Sequence, residues 1–261
     1  QLLISGDSGT FLRVWSVLDR SCLYALSGAS AAQVSALALF PITANARSVQ
    51  FLFSAGGSAV NDAETPPEQR DNRIRKWVMP SNFEYGAYQH ERFASGLQRP
   101  ELLRDQRFDG HARWVRALEL SADGYHLFSC SDDGTIIKFD ALLGVALLVM
   151  RGHGVFDDYV PCTGLWSQAC PPPDVCVDDE RFCHVRGLAV RGDVLYSIGN
   201  DWTLRAWDVD RGRQLYRHEG HGGAVTTICH GGGCIFTGGV DGWLHQWAAA
   251  DVTGIGRERG H

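Results

Sequence analysis

Lysine is almost missing from this chain: Lys76 and Lys138 stand against 22 arginines. The formal net charge is −6, which gives no electrostatic reason to expect a nucleic acid, and direct nucleic-acid contact is not expected. No apolar run approaches the length needed to span a bilayer, and the N-terminus shows no basic-then-apolar leader. The phosphate-loop pattern G-x-x-x-x-G-K-[ST], the zinc-protease pattern H-E-x-x-H and the hydrolase elbow G-x-S-x-G are all absent. The eight cysteines include no C-x-x-C pair, which removes the strong signature of a zinc knuckle.

What the chain does have is short β-rich runs punctuated by glycine. Over 220–247 the sequence GHGGAVTTICHGGGCIFTGGVDGWLHQW alternates apolar runs with Gly and Asp-Gly turns, the pattern of an antiparallel meander. The last two runs recur upstream as SIGNDWTLRAWD over 197–208 and as SCSDDGTIIKFD over 129–140. Counting back from Trp247 or Trp207, an Asp lies six residues before and a Thr or Ser ten before. A Gly-His pair precedes each unit: Gly110-His111, Gly152-His153 and Gly220-His221, with Gly260-His261 closing the chain.

This spacing resembles the WD40-repeat family, whose units of about 40 residues carry Gly-His and Trp-Asp signatures. The resemblance implies an all-β fold: a β-propeller of four-stranded antiparallel blades. Five repeats are visible, at approximately 1–28, 29–110, 111–152, 153–220 and 221–261. The first lacks its opening strand and the last stops where another would begin. Either a short further segment closes a five-bladed ring, or these blades belong to an incomplete seven-bladed one, and the second is the expectation. Insertions are expected near 57–70, 79–100 and 154–181.

The resemblance also implies a role for the signature residues. Within a blade they form a hydrogen-bonded chain of Trp, Ser or Thr, His and Asp that satisfies buried polar groups. The complete sets are His221, Thr237, Asp241 and Trp247, and His153, Ser197, Asp201 and Trp207, with His184 a rival to His153. A third set, His111, Ser129 and Asp133, is followed by Phe139 in the Trp place. His beside Asp and Ser also describes a hydrolase triad, but a catalytic site needs one copy and these residues repeat. In repeat one Gly9 takes the Asp place, and in repeat two Gly28-Ala29 replaces Gly-His, so those two chains are expected to be incomplete.

Function is expected on the loop face that carries the turns between the second and third strands. Trp114, Trp202 and Trp243 lie in or beside those turns with Arg113 and Asp132, and Trp and Arg are the common anchors of protein interfaces. These five are the candidate partner-binding residues. Cys162, Cys170, Cys176 and Cys183, with the neighbouring His184, form the weaker metal candidate; their uneven spacing favours reduced thiols. Cys22, Cys130, Cys229 and Cys234 read as small buried hydrophobes.

The expectation is a non-catalytic, cofactor-free scaffold that docks other proteins in a larger intracellular assembly, cytoplasmic or nuclear. A substrate-receptor subunit of a ubiquitin ligase is the alternative, although Trp207-Asp208 is followed by Val209-Asp210, without the Arg or Lys expected two residues after Trp-Asp. A metal-dependent activity at the inserted Cys/His loop is the third reading.

Overall fold

In the computed structural model the described residues are 2–8, 10–27, 29, 33–39, 50–57, 72–79, 101–102, 108–153 and 183–249. They form eighteen strands in five antiparallel sheets. The first sheet is β1 (Leu2–Gly6), β2 (Leu12–Ser16) and β3 (Cys22–Leu26). The second is β4 (Gln33–Leu39), β5 (Gln50–Gly57), β6 (Arg75–Met79) and the short β7 (Glu101–Leu102). The third is β8 (Val115–Leu120), β9 (His126–Ser131), β10 (Thr135–Asp140) and β11 (Ala146–Arg151). The fourth is β12 (Val185–Arg191), β13 (Val194–Gly199), β14 (Leu204–Asp208) and β15 (Gln214–His218). The fifth is β16 (Val225–Gly231), β17 (Cys234–Gly239) and β18 (Leu244–Ala248).

In every sheet each strand pairs with the next in sequence, the order of a propeller blade. The Asp-Gly turns make this possible. Gly134 and Gly242 sit at φ 78° and 80°, the left-handed region that glycine enters without a Cβ penalty. Among the described residues no helix is long and apolar enough to cross a membrane. The expected insertions lie largely or wholly outside the described residues, as do Gly9, Gly28, Cys162, Cys170 and Cys176.

The chain divides into two compact units, Gln1–Leu127 with Phe139–Ala146, and Phe128–Lys138 with Leu147–His261. In the first unit, Leu12, Val14 and Leu26 of the first sheet pack with Val34, Leu52, Trp77 and Met79 of the second. Phe108 stands edge-on to both Phe53 and Phe139, with ring centroids 5.5 and 5.4 Å away, so Phe139 fills the usual Trp volume. In the second unit, Tyr196, Ile198, Leu204 and Ala206 of the fourth sheet meet Val225 and Ile235 of the fifth. Burying such faces drives the packing at about 25 cal/mol per Å² of apolar surface.

The two lysines share one register position, immediately before Trp77 and Phe139, and both are buried. In the first unit, Lys76 donates to the Leu142 carbonyl at 3.0 Å and lies 3.9 Å over the Phe51 ring. Burial lowers its pKa to about 8, with the Asp140 charge opposing. In the second unit, Lys138 donates to the Val209 carbonyl at 3.1 Å and stands 3.5 Å from Asp210. Each ammonium reaches the turn that follows the third strand of another sheet. A chain almost without lysine uses both as sheet-to-sheet ties.

Not all the cysteines are buried. Cys130 is, but Cys22 and Cys229 are exposed and Cys234 is half-buried. Cys22 opens β3 and Cys229 lies on β16, and each of these strands fully buries one residue, Leu26 in the first and Val225 in the second.

Candidate functional site

The polar chains in the fourth and fifth sheets are built alike. In the fourth, the Trp207 indole donates to Ser197 Oγ at 2.8 Å, Ser197 Oγ lies 2.7 Å from His153 Nε2, and His153 Nδ1 lies 2.9 Å from Asp201 Oδ1. In the fifth, Trp247 donates to Thr237 Oγ1 at 2.8 Å, which lies 2.8 Å from His221 Nε2, while His221 Nδ1 lies 2.9 Å from Asp241 Oδ2. Donor bookkeeping sets the direction. The carboxylate can only accept, so a neutral imidazole carries its proton on Nδ1, and Nε2 accepts from the hydroxyl, which in turn accepts from the indole. Glycine makes room in both sheets: a Cβ on Gly199 would sit 2.6 Å from His153 Nδ1, and one on Gly239 2.9 Å from His221 Nδ1.

The incomplete chains are repaired locally. In the first sheet Trp15 still donates to Ser5 Oγ at 2.9 Å. In the second, Trp77 donates to Ser54 Oγ at 3.0 Å, and Ser54 donates onward to the Ala29 carbonyl at 3.2 Å. A backbone oxygen stands in for the missing imidazole. In the third sheet Ser129 is fully buried and Asp133 accepts from the Thr135 amide and hydroxyl at 2.8 and 2.6 Å. His111 is half-buried at the entry to that sheet.

The rival His184 turns elsewhere, with Nδ1 3.4 Å from Asp132 Oδ1, and both side chains are buried. Cys183 lies against Gly134, whose added Cβ would come within 3.2 Å of it.

One further position lies outside the family signature. Two residues before the Trp stand Arg13, Arg75, Arg205 and His245. Arg13 pairs with Asp7, and Arg75 donates to the Ala29 carbonyl at 3.2 Å. Arg205 lies 3.2 Å from Asp201 Oδ2, fully inside the fourth sheet. His245 instead stacks on Trp247, with centroids 5.5 Å apart at 16°, and approaches the His221 ring at 4.2 Å. Aligning the repeats as columns exposes this exchange.

The three loop tryptophans differ. In the first unit, the half-buried Trp114 donates to Ser35 Oγ at 3.0 Å, with the Arg116 guanidinium 4.0 Å over its ring. In the second, Trp202 is 45% and Trp243 is 70% exposed. They occupy equivalent turns, β13–β14 and β17–β18, of two sheets that pack together, so they share one side. Trp202 adopts φ 66° at the turn position held elsewhere by Gly134 and Gly242, and Thr10 does the same in the first sheet at φ 72°. Arg113 is half-buried.

A family model for the WD domain, G-beta repeat, matches residues 103–140 and 212–248. The chain therefore carries WD40 repeats at these two sites, and its relatives are WD-repeat proteins. It is similar to the U3 snoRNP-associated protein-like EMB2271 of Arabidopsis thaliana, 27% identical over 77% of this chain and 41% of that one. It is likewise 27% identical to an F-box protein of Saccharomyces cerevisiae, over 43% of this chain and 21% of that protein. The WD repeat-containing protein pop1 of Schizosaccharomyces pombe is 27% identical over 58% of this chain and 20% of its own length. The chain thus spans 20% to 41% of the lengths of these relatives. Among solved structures the computationally designed Ika8 protein shares the fold, with a TM-score of 0.58 at 21% identity over 95% of this chain and 55% of that one.

Proposed function

We propose that the chain is a non-catalytic interaction scaffold, which presents Trp202 and Trp243 on one turn face to dock a protein partner inside a larger assembly. The observation that carries this reading is Trp202. A non-glycine residue in the left-handed region costs on the order of 1 kcal/mol, and such strain concentrates at contact sites. The strain brings little packing in return, since the indole is 45% exposed. Large, stiff, amphipathic indoles are the side chains that interfaces most often use as anchors. Two other candidates are engaged internally, Trp114 by Ser35 and the buried Asp132 by His184, and neither serves as an anchor in this reading.

Similarity to WD-repeat proteins supports the scaffold class, and the name of EMB2271 attaches that relative to an assembly. A second reading, a ubiquitin-ligase receptor, draws on the partial similarity to an F-box protein. Affinity purification of the full-length protein from its native cells, with mass spectrometry of what co-purifies, tests both. A stoichiometric partner lost from the Trp202→Gly, Trp243→Ser double variant, with thermal melting unchanged, supports the scaffold reading. Ligase subunits among the partners favour the second. The absence of any partner overturns both.

A further inference from the structure

The one donor set among the described residues able to hold a metal ion lies in the fifth sheet: His221, Asp241 and His245, each offering a ligand atom within 4.8 Å of the others. Two imidazoles and a carboxylate are a ligand set that borderline divalent ions accept. The fourth sheet shows why the set is particular to the fifth. There the same His and Asp are joined by Arg205, whose guanidinium lies on the carboxylate at 3.2 Å and supplies a permanent cation. Exchange of that Arg for His245 removes the fixed cation and adds a nitrogen lone pair beside the same carboxylate.

We propose that His221, Asp241 and His245 bind a zinc ion, with the fourth position open to water. The surroundings orient the donors. Asp241 Oδ1 accepts from the Trp243 amide at 3.1 Å, and Oδ2 accepts from the Gly222 amide at 2.8 Å as well as from His221. His245 is braced flat on the Trp247 indole. His221 needs a change of tautomer: with Nδ1 on the metal, its proton sits on Nε2 and is donated to Thr237 Oγ1. That hydroxyl is already 2.8 Å away and can turn its own proton aside, so the outward N–H of a metal-bound imidazole finds its acceptor without rebuilding the site. Tetrahedral zinc with bonds of about 2.0–2.1 Å sets its donors about 3.4 Å apart, so the His221–Asp241 pair, 2.9 Å apart without metal, opens by about 0.5 Å while His245 closes in. The inward movement falls on His245, half-buried on β18, because His221 is held at Nε2 and by the walls around Gly239. Asp241 and His245 are both half-buried, which leaves the ion a path from solvent.

The test is titration of the purified full-length protein with Zn²⁺ by calorimetry, and with Co²⁺ by absorption, beside the variant His245→Arg. Arg is the residue of three other sheets at this place, so the variant is expected to keep its fold, and thermal melting checks that. The expected result is one ion per chain at this site, with affinity at least tenfold weaker in His245→Arg, about the scale of a lost ligand contact. The cobalt spectrum of that ion should carry ligand-field bands and no thiolate charge-transfer band. No saturable Zn²⁺ binding overturns the proposal. So does binding that survives unchanged in His245→Arg, and in that case a thiolate band would move the site to the cysteines.

Discussion

The fourth and fifth sheets carry one polar chain in two environments. In the fourth, every residue of β14 is buried, and the ring of His153 and the carboxylate of Asp201 are each 1% exposed. In the fifth, β18 alternates between exposed and half-buried, and no described strand pairs with its outer edge. The hydrogen bonds differ by no more than 0.1 Å. Geometry is therefore shared by the two, and so is the burial of the ring, His221 being 1% exposed; the dielectric differs at the ends of the chain, where Asp241 is 8% exposed and Trp247 is half-buried. Equal distances should yield unequal energies, because an unpaired polar group costs most where water cannot replace its partner.

The largest expected effect follows from the charge that only the fourth sheet holds. Replacing Arg205 by Met leaves the buried Asp201 without its guanidinium and should cost about 3 kcal/mol, the scale for breaking one partner out of a buried pair. His245→Met in the fifth sheet should cost far less, since water reaches Asp241 and screens its charge. Urea unfolding of the two variants checks this. Equal losses would show that the fifth sheet is as dry as the fourth.

The hydroxyl at the centre of each chain gives the next comparison. Ser197→Ala strands the Trp207 N–H and His153 Nε2 in a dry interior and should cost about 2–3 kcal/mol. Thr237→Ala strands the equivalent groups beside a half-buried Trp247 and should cost about 1 kcal/mol. Differential unfolding of the pair measures the gap, and a reversed order would break the argument from burial.

How much of this is legible in the residue string depends on range. The turn glycines, the Trp spacing and the two full polar chains are local patterns repeated at fixed register, so the sheets and the tetrads can be read directly. His245 and Trp202 are equally visible, as departures from an Arg column and an Asp-Gly column. They pass unnoticed when each repeat is checked against the family signature instead of against its siblings. The Ala29 carbonyl under Ser54 and the reach of Lys76 and Lys138 into distant turns are not legible. They join residues 25, 66 and 71 positions apart through backbone oxygens, which no residue type announces. Cys22 and Cys229 are exposed against expectation because an apolar run does not say which of its faces is covered.

The turns themselves supply a comparison of backbone alone. Trp202→Gly and Trp202→Ala both delete the indole, but only Gly is at ease at φ 66°, so the Gly variant should be more stable by about 1 kcal/mol. Gly242→Ala runs the same experiment in reverse. A Cβ there meets nothing within 4 Å, so its expected cost of about 1 kcal/mol is conformational. Thermal melts of the three variants check both signs.

The smallest effect is the titration of Asp241. Burial alone would raise its pKa, but the amides of Trp243 and Gly222 and the His221 ring outweigh burial and hold it below the 3.8 of a free aspartate. A carboxyl depressed in the folded state contributes stability that is present above 3.8 and is lost as pH falls through the lower folded value. The amide resonances of Gly222 and Trp243 report it directly, since both donate to this carboxylate. Their shifts should move together with a midpoint below 3.8, and His221→Gln should raise that midpoint by removing one of its donors. A midpoint at or above 3.8 would mean that the His221–Asp241 contact is too open to hold its proton in place. The fifth sheet would then differ from the fourth in geometry as well as in dielectric.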